Sequence, residues 1–283
     1  MNRKQSVLIT GASSGIGKAC VKHLAQLGFK VYATVRNHTD HIALTQEGDD
    51  FICPVVMDVT DQSSIAAVYQ TIAEDTEYPL YALINNAGVG ISGVVEATPV
   101  EAFRQVMEVN VVGMHAVTQA FLPLIRQSKG RIVNMGSIAG LFAAPGSSAY
   151  SASKFAVRAF TDALRIEMLP YGVKVGLIVP GAIETEIWNK SKVYKKELRK
   201  NTSKELQVVY EMFIKAGDKM VDQVQPVPAH AVAVKVEKAL LARKPKCYYM
   251  VGKETREALF FLKFPRQLLD YLIIRRLKAM TRE

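Results

Sequence analysis

The sequence predicts an α/β protein: one doubly wound parallel sheet, a helical insertion and a helical C-terminal tail. Three observations lead there. Short runs rich in Val, Ile and Leu alternate with segments long enough for helices. The runs are apolar throughout, not at every second residue, as expected of strands buried on both faces and joined in parallel by helices. A glycine-rich turn links the first run to the first helix.

In order, the expected strands are SVLIT (6–10), KVYATV (30–35), FICPVVM (51–57), LYALI (80–84), GRIVNM (130–135) and VKVGLIV (173–179). Helices are expected over 15–28, 61–76, 99–127 and 148–169. No Gly/Ser linker and no repeat divides the chain, so 1–255 reads as one domain with an insertion at about 185–227. A helical tail begins after about 252, and 256–283 reads as a separate basic, apolar segment.

The turn TGASSGIG (10–17) is the first chemical signal. Gly11 allows a sharp turn, Gly15 close approach of a pyrophosphate, and Gly17 tight packing of helix on strand. Ser13, Ser14, Gly15, Ile16 and Gly17 then lead into a helix whose backbone N–H groups and dipole suit phosphate. The spacing departs from Gly-x-Gly-x-x-Gly, yet the flanking strand and helix are those that a Rossmann-type dinucleotide site needs.

The second strand ends at Arg36, 19 residues after Gly17, where an acidic residue would bind a ribose 2′-hydroxyl. Asp40 is the nearest acid. A guanidinium there suits the 2′-phosphate of NADP, so NADP is expected over NAD; the plain alternative is a solvated strand-end arginine. Asp58 ends the third strand, placed for an adenine amino group with the Val59 backbone beside it. Asn85 and Asn86 end the fourth and could bridge strand ends, while Ala87 and Gly88 leave room for a cofactor. All lie at the carboxyl ends of strands, where open α/β sheets bind ligands.

Tyr150 and Lys154, in AYSASKF, share a helix face four residues apart. Taken alone, a solvated pair is the plainer reading. In company it is not: TGASSGIG, NNAG, Asn110, Ser137, YSASK and PGAIET, in that order, resemble the short-chain dehydrogenase/reductase family over about residues 5–185. KVYATVRN, ASKFAVRAF and the long tail are most similar to the 17β-hydroxysteroid and retinol dehydrogenase branch.

The resemblance implies Tyr150 as general acid/base. It implies Lys154 as the group that lowers the phenol and holds the nicotinamide ribose, Ser137 as a partner of the reacting oxygen, and Asn110 as the holder of a water leading from Lys154 to solvent. A charge at ~4 Å and an effective dielectric near ~20 would lower the phenol by roughly three units. Pro180, Gly181, Ile183 and Thr185 would meet the nicotinamide. The family pairs through helices matching 99–127 and 148–169, which implies a homodimer or homotetramer.

Specificity is expected where the motifs stop: 135–148, 90–95 and the start of the insertion, with Ser137, Leu141, Phe142, Tyr150, Ile187 and Trp188 around the substrate. In SKELQVVYEMFIKAG, Leu206, Val209, Tyr210 and Phe213 fall on one helical stripe. That stripe is either a helix packed on the protein or a lid over a large apolar substrate.

Composition narrows the rest. The chain has 283 residues, 49% hydrophobic and 22% charged, normal for a globular protein. From Lys235 to Glu283 there are 13 Lys and Arg against 5 Asp and Glu, so the tail holds +8 of the net +10. Without an aromatic platform or recognition motif, this charge does not indicate nucleic acid. The tail could meet an anionic membrane, cover the pocket or form a subunit interface. No leader or membrane span is read, and three scattered cysteines suggest reduced thiols, which points to the cytoplasm with peripheral membrane contact left open. His38 and His41 lack a third ligand, so no metal is expected.

The reading is an NADP(H)-dependent oxidoreductase interconverting a secondary or allylic alcohol and its carbonyl on a small lipophilic, steroid- or retinoid-like substrate. The alternative is a non-catalytic NADP-binding sensor or scaffold.

Overall fold

A computed structural model of the chain describes residues 4–223 and 225–281; the side chains of 186–190, 192 and 220–223 fall outside the description. The first half alternates β1 (Ser6–Ile9), α1 (Gly15–Gln26), β2 (Lys30–Val35), α2 (His38–Thr45), β3 (Ile52–Val56), α3 (Gln62–Ala73) and β4 (Leu80–Asn85). Then come α4 (Val100–Met107), α5 (Met114–Gln127), β5 (Arg131–Met135), α6 (Ser148–Met168) and β6 (Lys174–Pro180). The insertion is α7 (Glu186–Asn201), α8 (Lys204–Val209) and α9 (Glu211–Gln223); α10 (Ala229–Leu241), β7 (Tyr248–Val251), α11 (Lys253–Phe261) and α12 (Arg266–Thr281) complete the chain.

The strands form one parallel sheet in the order β3-β2-β1-β4-β5-β6-β7. The order reverses between β1 and β4, so a crevice opens there at the carboxyl ends. Both faces are covered, which is why the strands do not alternate. Val7 and Ile9 pack with α1 and α10 through Val21, Leu24, Val232 and Val236. Leu8, on the other face, packs with α3, α5 and α6 through Ile65, Phe121 and Leu164. Pro54 cannot donate to a ladder, and it is tolerated because β3 is an edge strand.

The six expected strands are present within a residue or two of their expected bounds. β7 was not among them. It is a four-residue edge strand whose residues are alternately buried and half-buried, too short and too mixed to read from pattern. The expected helix over 99–127 is divided: a π segment, Glu108–Gly113, separates α4 from α5. Buried Asn110 and Gly113 lie within it.

The insertion comprises α7 to α9. Its neck is closed by a bridge in which Val227 N–H donates to Ala182 O (2.9 Å) and Glu184 N–H to Val227 O (3.0 Å). The continuous stripe through Leu206, Val209, Tyr210 and Phe213 is not found. The helix breaks at Tyr210, and Val208 and Val209 are 73% and 71% exposed. Ser203 caps α8 through the Leu206 N–H, and the Tyr210 hydroxyl turns to Glu96 at 2.9 Å. Asp218 on α9 ties back to α7 through Lys195 at 2.6 Å and through Arg199.

The tail does not stand free. α11 packs on β7 and α12 on α9, burying Leu269 and Leu277. Among the described residues no helix is long and apolar enough to cross a membrane.

Candidate active site

The crevice begins at the glycine turn. Gly11 has φ +66°, which a side chain rarely adopts, and a Cβ on Gly17 would lie 2.2 Å from Gly11 O. The turn is stitched to β4. Thr10 Oγ1 accepts from the N–H groups of Asn86 and Ala87, each at 2.9 Å, and Asn86 Nδ2 donates to the carbonyls of Thr10 and Gly11, each at 2.9 Å. Asn85 Nδ2 donates to Thr118 and Asn134, both at 2.9 Å. The two asparagines therefore bridge strand ends, as the sequence suggested. Thr10 was missed; its only signal was its place beside Gly11.

Ser13, Ser14, Gly15, Ile16 and Gly17 form the entry to α1. Ser14 is the N-cap residue and its side chain makes no capping bond, so the first N–H groups of α1 keep donor capacity. Arg36 is exposed at the end of β2, and among the described residues no ion pair engages it. Asp40 is already occupied, its carboxylate taking Asn37 Nδ2 at 3.0 Å. Asp58 Oδ1 accepts from the N–H and hydroxyl of Thr60 at 2.8 and 2.7 Å, which fixes this carboxylate in a turn. Val59 is buried against Gly113.

The four expected catalytic residues converge on α6 and its neighbours. Lys154, 6% exposed, donates through Nζ to Met135 O at 2.8 Å and lies 5.7 Å from the Tyr150 ring centroid. Ser137 follows β5; its Oγ accepts from Ala139 N–H at 3.1 Å and is hydrogen-bonded to the Tyr150 hydroxyl. A Cβ on Gly88 would come within 3.2 Å of Asn110 Oδ1 and 3.8 Å of Lys154 Nζ, so this glycine lies close against both side chains.

Asn110 uses its whole side chain locally. Oδ1 accepts from Val89 N–H at 2.8 Å, while Nδ2 donates to Val89 O and Ser153 Oγ, each at 2.9 Å. Its amide is therefore committed to holding the loop after β4 against α6. Ser153, which also donates to Tyr150 O at 2.7 Å, was not anticipated.

The electrostatics differ from the expected lowering of the phenol by the ammonium. Burial pushes the Tyr150 phenol above its ordinary value, and the Ser137 hydrogen bond offsets that in part. Burial also pulls the Lys154 ammonium down to about 8. The ammonium is turned to the Met135 carbonyl, 5.7 Å from the phenol ring centroid, and desolvation is the first cause of both shifts.

Pro180, Gly181, Ile183 and Thr185 form a loop over the ends of β6 and β7. Gly181 N–H donates to Val251 O at 2.9 Å, and Ala182 N–H donates to Glu254 Oε1 at 2.8 Å. At its far end the Thr185 methyl lies 3.0 Å from where a Gly15 Cβ would stand, so the loop reaches the glycine turn. Leu141 is 3% exposed and packs with Val157, Leu177 and Val179, while Phe142 is half-buried beside it. The two expected walls meet: Ser92 and Ser191 are 3.0 Å apart and Leu198 covers Gly93. Ile187 and Trp188 lie on α7, their side chains outside the described residues.

Comparison with known proteins shows the family and the fold. A family model described as short chain dehydrogenase matches residues 5–196. An NADPH-dependent 3-dehydrocapnine reductase of Ornithobacterium rhinotracheale is 36% identical over 98% of both chains. Estradiol 17-beta-dehydrogenase 2 of Rattus norvegicus is 34% identical over 95% of this chain and 74% of its own. A short chain dehydrogenase from Burkholderia cenocepacia, solved in complex with NADP, superposes with a TM-score of 0.72 at 26% identity, over 96% of this chain and 99% of that one.

Proposed function

The chain belongs to the short-chain dehydrogenase family of oxidoreductases, and within it we propose that it reduces a carbonyl on a lipophilic substrate with NADPH, Tyr150 giving the proton. The observation that carries this is the Tyr150–Ser137–Lys154 group beside the β1/β4 crevice, with Ser137 and Lys154 buried and Tyr150 half-buried. A phenol pushed upward stays protonated at neutral pH, the state a proton donor to a carbonyl needs.

The chain's residues fit the cofactor. The N–H groups entering α1 from Ser13 to Gly17 suit the pyrophosphate, and the exposed Arg36 suits a 2′-phosphate. Asp58 and Val59 would meet the adenine end, and Ala87 and Gly88 would leave room for the cofactor. When bound, NADPH supplies the hydride. Ser137 would orient the carbonyl oxygen toward Tyr150 and Lys154 would hold the ribose hydroxyls, while Asn110 holds the loop after β4 against α6. Pro180, Gly181, Ile183 and Thr185 meet the nicotinamide. We assign Leu141, Phe142, Ile187 and Trp188 to the substrate side from their positions in the sequence.

Turnover with a panel of steroid, retinoid and lipid-chain ketones, followed by NADPH absorbance, tests the reading. Tyr150→Phe should lower kcat by roughly 10²–10⁴-fold. Arg36→Ala should raise the KM for NADPH by about tenfold and leave NADH unchanged. Tight NADPH binding without turnover on any carbonyl would instead favour a nucleotide-binding sensor or scaffold.

Two further parts of the reading concern surfaces. Val100, Phe103, Phe155 and Ile166 are exposed on α4 and α6, which supports pairing of copies through these helices; light scattering that gives only a monomer would reject it. Phe260, Phe261 and Phe264 form an exposed aromatic cluster amid Lys263, Arg266 and Arg256, which supports peripheral contact with anionic lipid. No cosedimentation with phosphatidylserine vesicles at low salt would reject that.

A further inference from the structure

Glu254 lies outside every motif read from the sequence. It sits in the first turn of α11, where the tail begins, and reaches 72 residues back to take the Ala182 N–H at 2.8 Å through Oε1. Two glycines make room for it. A Cβ on Gly181 would lie 1.8 Å from Oε1, and one on Gly252 would lie 2.5 Å away. The carboxylate therefore fills the notch between the end of β7 and the loop that begins at Gly181.

That loop is strapped on several sides. Gly181 N–H is held by Val251, the Ala182 carbonyl by Val227, and the Glu184 N–H by Val227 again. The N–H of Ala182 is turned toward the tail and is met by Glu254. A hydrogen bond to a carboxylate is about twice as strong as a neutral one, so this contact holds more firmly than its backbone neighbours.

We propose that Glu254 is a positioning residue for the nicotinamide half of the cofactor, fixing the backbone from Gly181 to Ile183 and so coupling the tail to the loop beside the reacting ring. This rests on the NADP(H) reading above. Glu254 touches neither cofactor nor substrate; it acts through the loop. An acidic residue in a helix's first turn also stabilises that helix through its dipole. The test must separate the two roles.

The full-length protein with Glu254→Ala and Glu254→Gln should be titrated with two ligands. Adenosine 2′,5′-bisphosphate carries the adenine half without nicotinamide; NADPH carries both. Calorimetry should give unchanged affinity for the bisphosphate in both variants. NADPH should bind about tenfold more weakly to Glu254→Ala, while Glu254→Gln, which keeps an acceptor of the same length, should recover most of the loss. Displacing the carboxylate by Gly181→Ala should copy Glu254→Ala, and combining the two should add little.

If Glu254→Ala does not fold, Gly181→Ala and Glu254→Gln carry the same comparison. Unchanged NADPH affinity in all variants overturns the proposal, as does equal weakening of both ligands, which marks a general structural role. If the unaltered protein binds neither ligand, the NADP(H) reading falls, and the proposal with it.

Discussion

At the carboxyl edge of the sheet there is almost no slack. A Gly17 Cβ would stand 2.2 Å from a carbonyl, and Thr10, Asn86 and Asn110 each bind two or more named partners. In the insertion the opposite holds. Val193, Val208 and Val209 face solvent, and among the described residues the carboxylate that ties α7 to α9, Asp218, is itself 46% exposed. The first region is built by steric exclusion and saturated hydrogen bonding, which admit few sequences. The second is built by ordinary amphipathic contact, which admits many. A family that keeps its chemistry while changing its substrates needs that division, with cofactor and proton donor on the rigid edge and specificity on the permissive insertion.

The largest expected difference comes from adding one carbon to the rigid edge. Gly17→Ala forces a Cβ into the Gly11 carbonyl, with Asn86 Nδ2 only 2.6 Å away on the other side. Neither neighbour is the free end of a flexible chain. The expected loss is about 3 kcal/mol of stability or more. NADPH binding should fall with it, because the same movement opens the turn. A denaturant midpoint equal to that of the unaltered protein would show that the edge has slack after all.

Lys154 gives the next effect, and here the rigid edge works against stability. Its folded value is about 8 against an ordinary 10.5, with burial the cause. Below pH 8 the ammonium is charged in both states and carries its full desolvation cost. Between about 8 and 10.5 the unfolded chain binds more protons than the folded one, so stability rises with pH. Above 10.5 the rise is complete. At about 1.4 kcal/mol per unit the total is about 3 kcal/mol. Lys154→Met should lack this rise, so the difference between its melting curve and that of the unaltered protein should change across the window. Parallel curves from pH 7 to 10.5 would mean that the side chain reaches solvent in solution. Activity should be lost in the variant throughout, the sign of a residue kept for chemistry at a cost to stability.

The same division governs what could be read from sequence. The glycine turn, NNAG, Ser137 and the Tyr150–Lys154 pair were legible because each meets a constraint that few residue types satisfy. Strands β1 to β6 were legible because burial on both faces leaves unbroken apolar runs. β7 was not, since an edge strand of four residues carries half that signal. The break at Tyr210 was hidden because Leu206, Val209 and Phe213 keep helical spacing whether or not the helix continues. Glu254 was invisible for a third reason. Its partner is the backbone of Ala182, and a backbone N–H leaves no mark in the sequence; only the glycines at 181 and 252 record it. The phenol's direction was misjudged because a charge at a fixed distance was considered without the burial both groups undergo.

The smallest expected effect tests the permissive side. Asp218→Ala removes the carboxylate that Lys195 and Arg199 share between α7 and α9. With the pair so exposed, solvent screens it, and the expected loss is below about 1 kcal/mol. NADPH affinity should stay as it is, because the glycine turn and the loop from Pro180 to Thr185 make no contact with Asp218 among the described residues. KM for a bulky ketone should rise by a few fold, since α7 carries Ser191 and Leu198 against the loop after β4, and loosening it shifts that wall. A loss of NADPH affinity matching the rise in KM would show that the insertion and the edge are one cooperative unit, and the two-part picture would then be wrong at its hinge, the bridge between Ile183 and Val227.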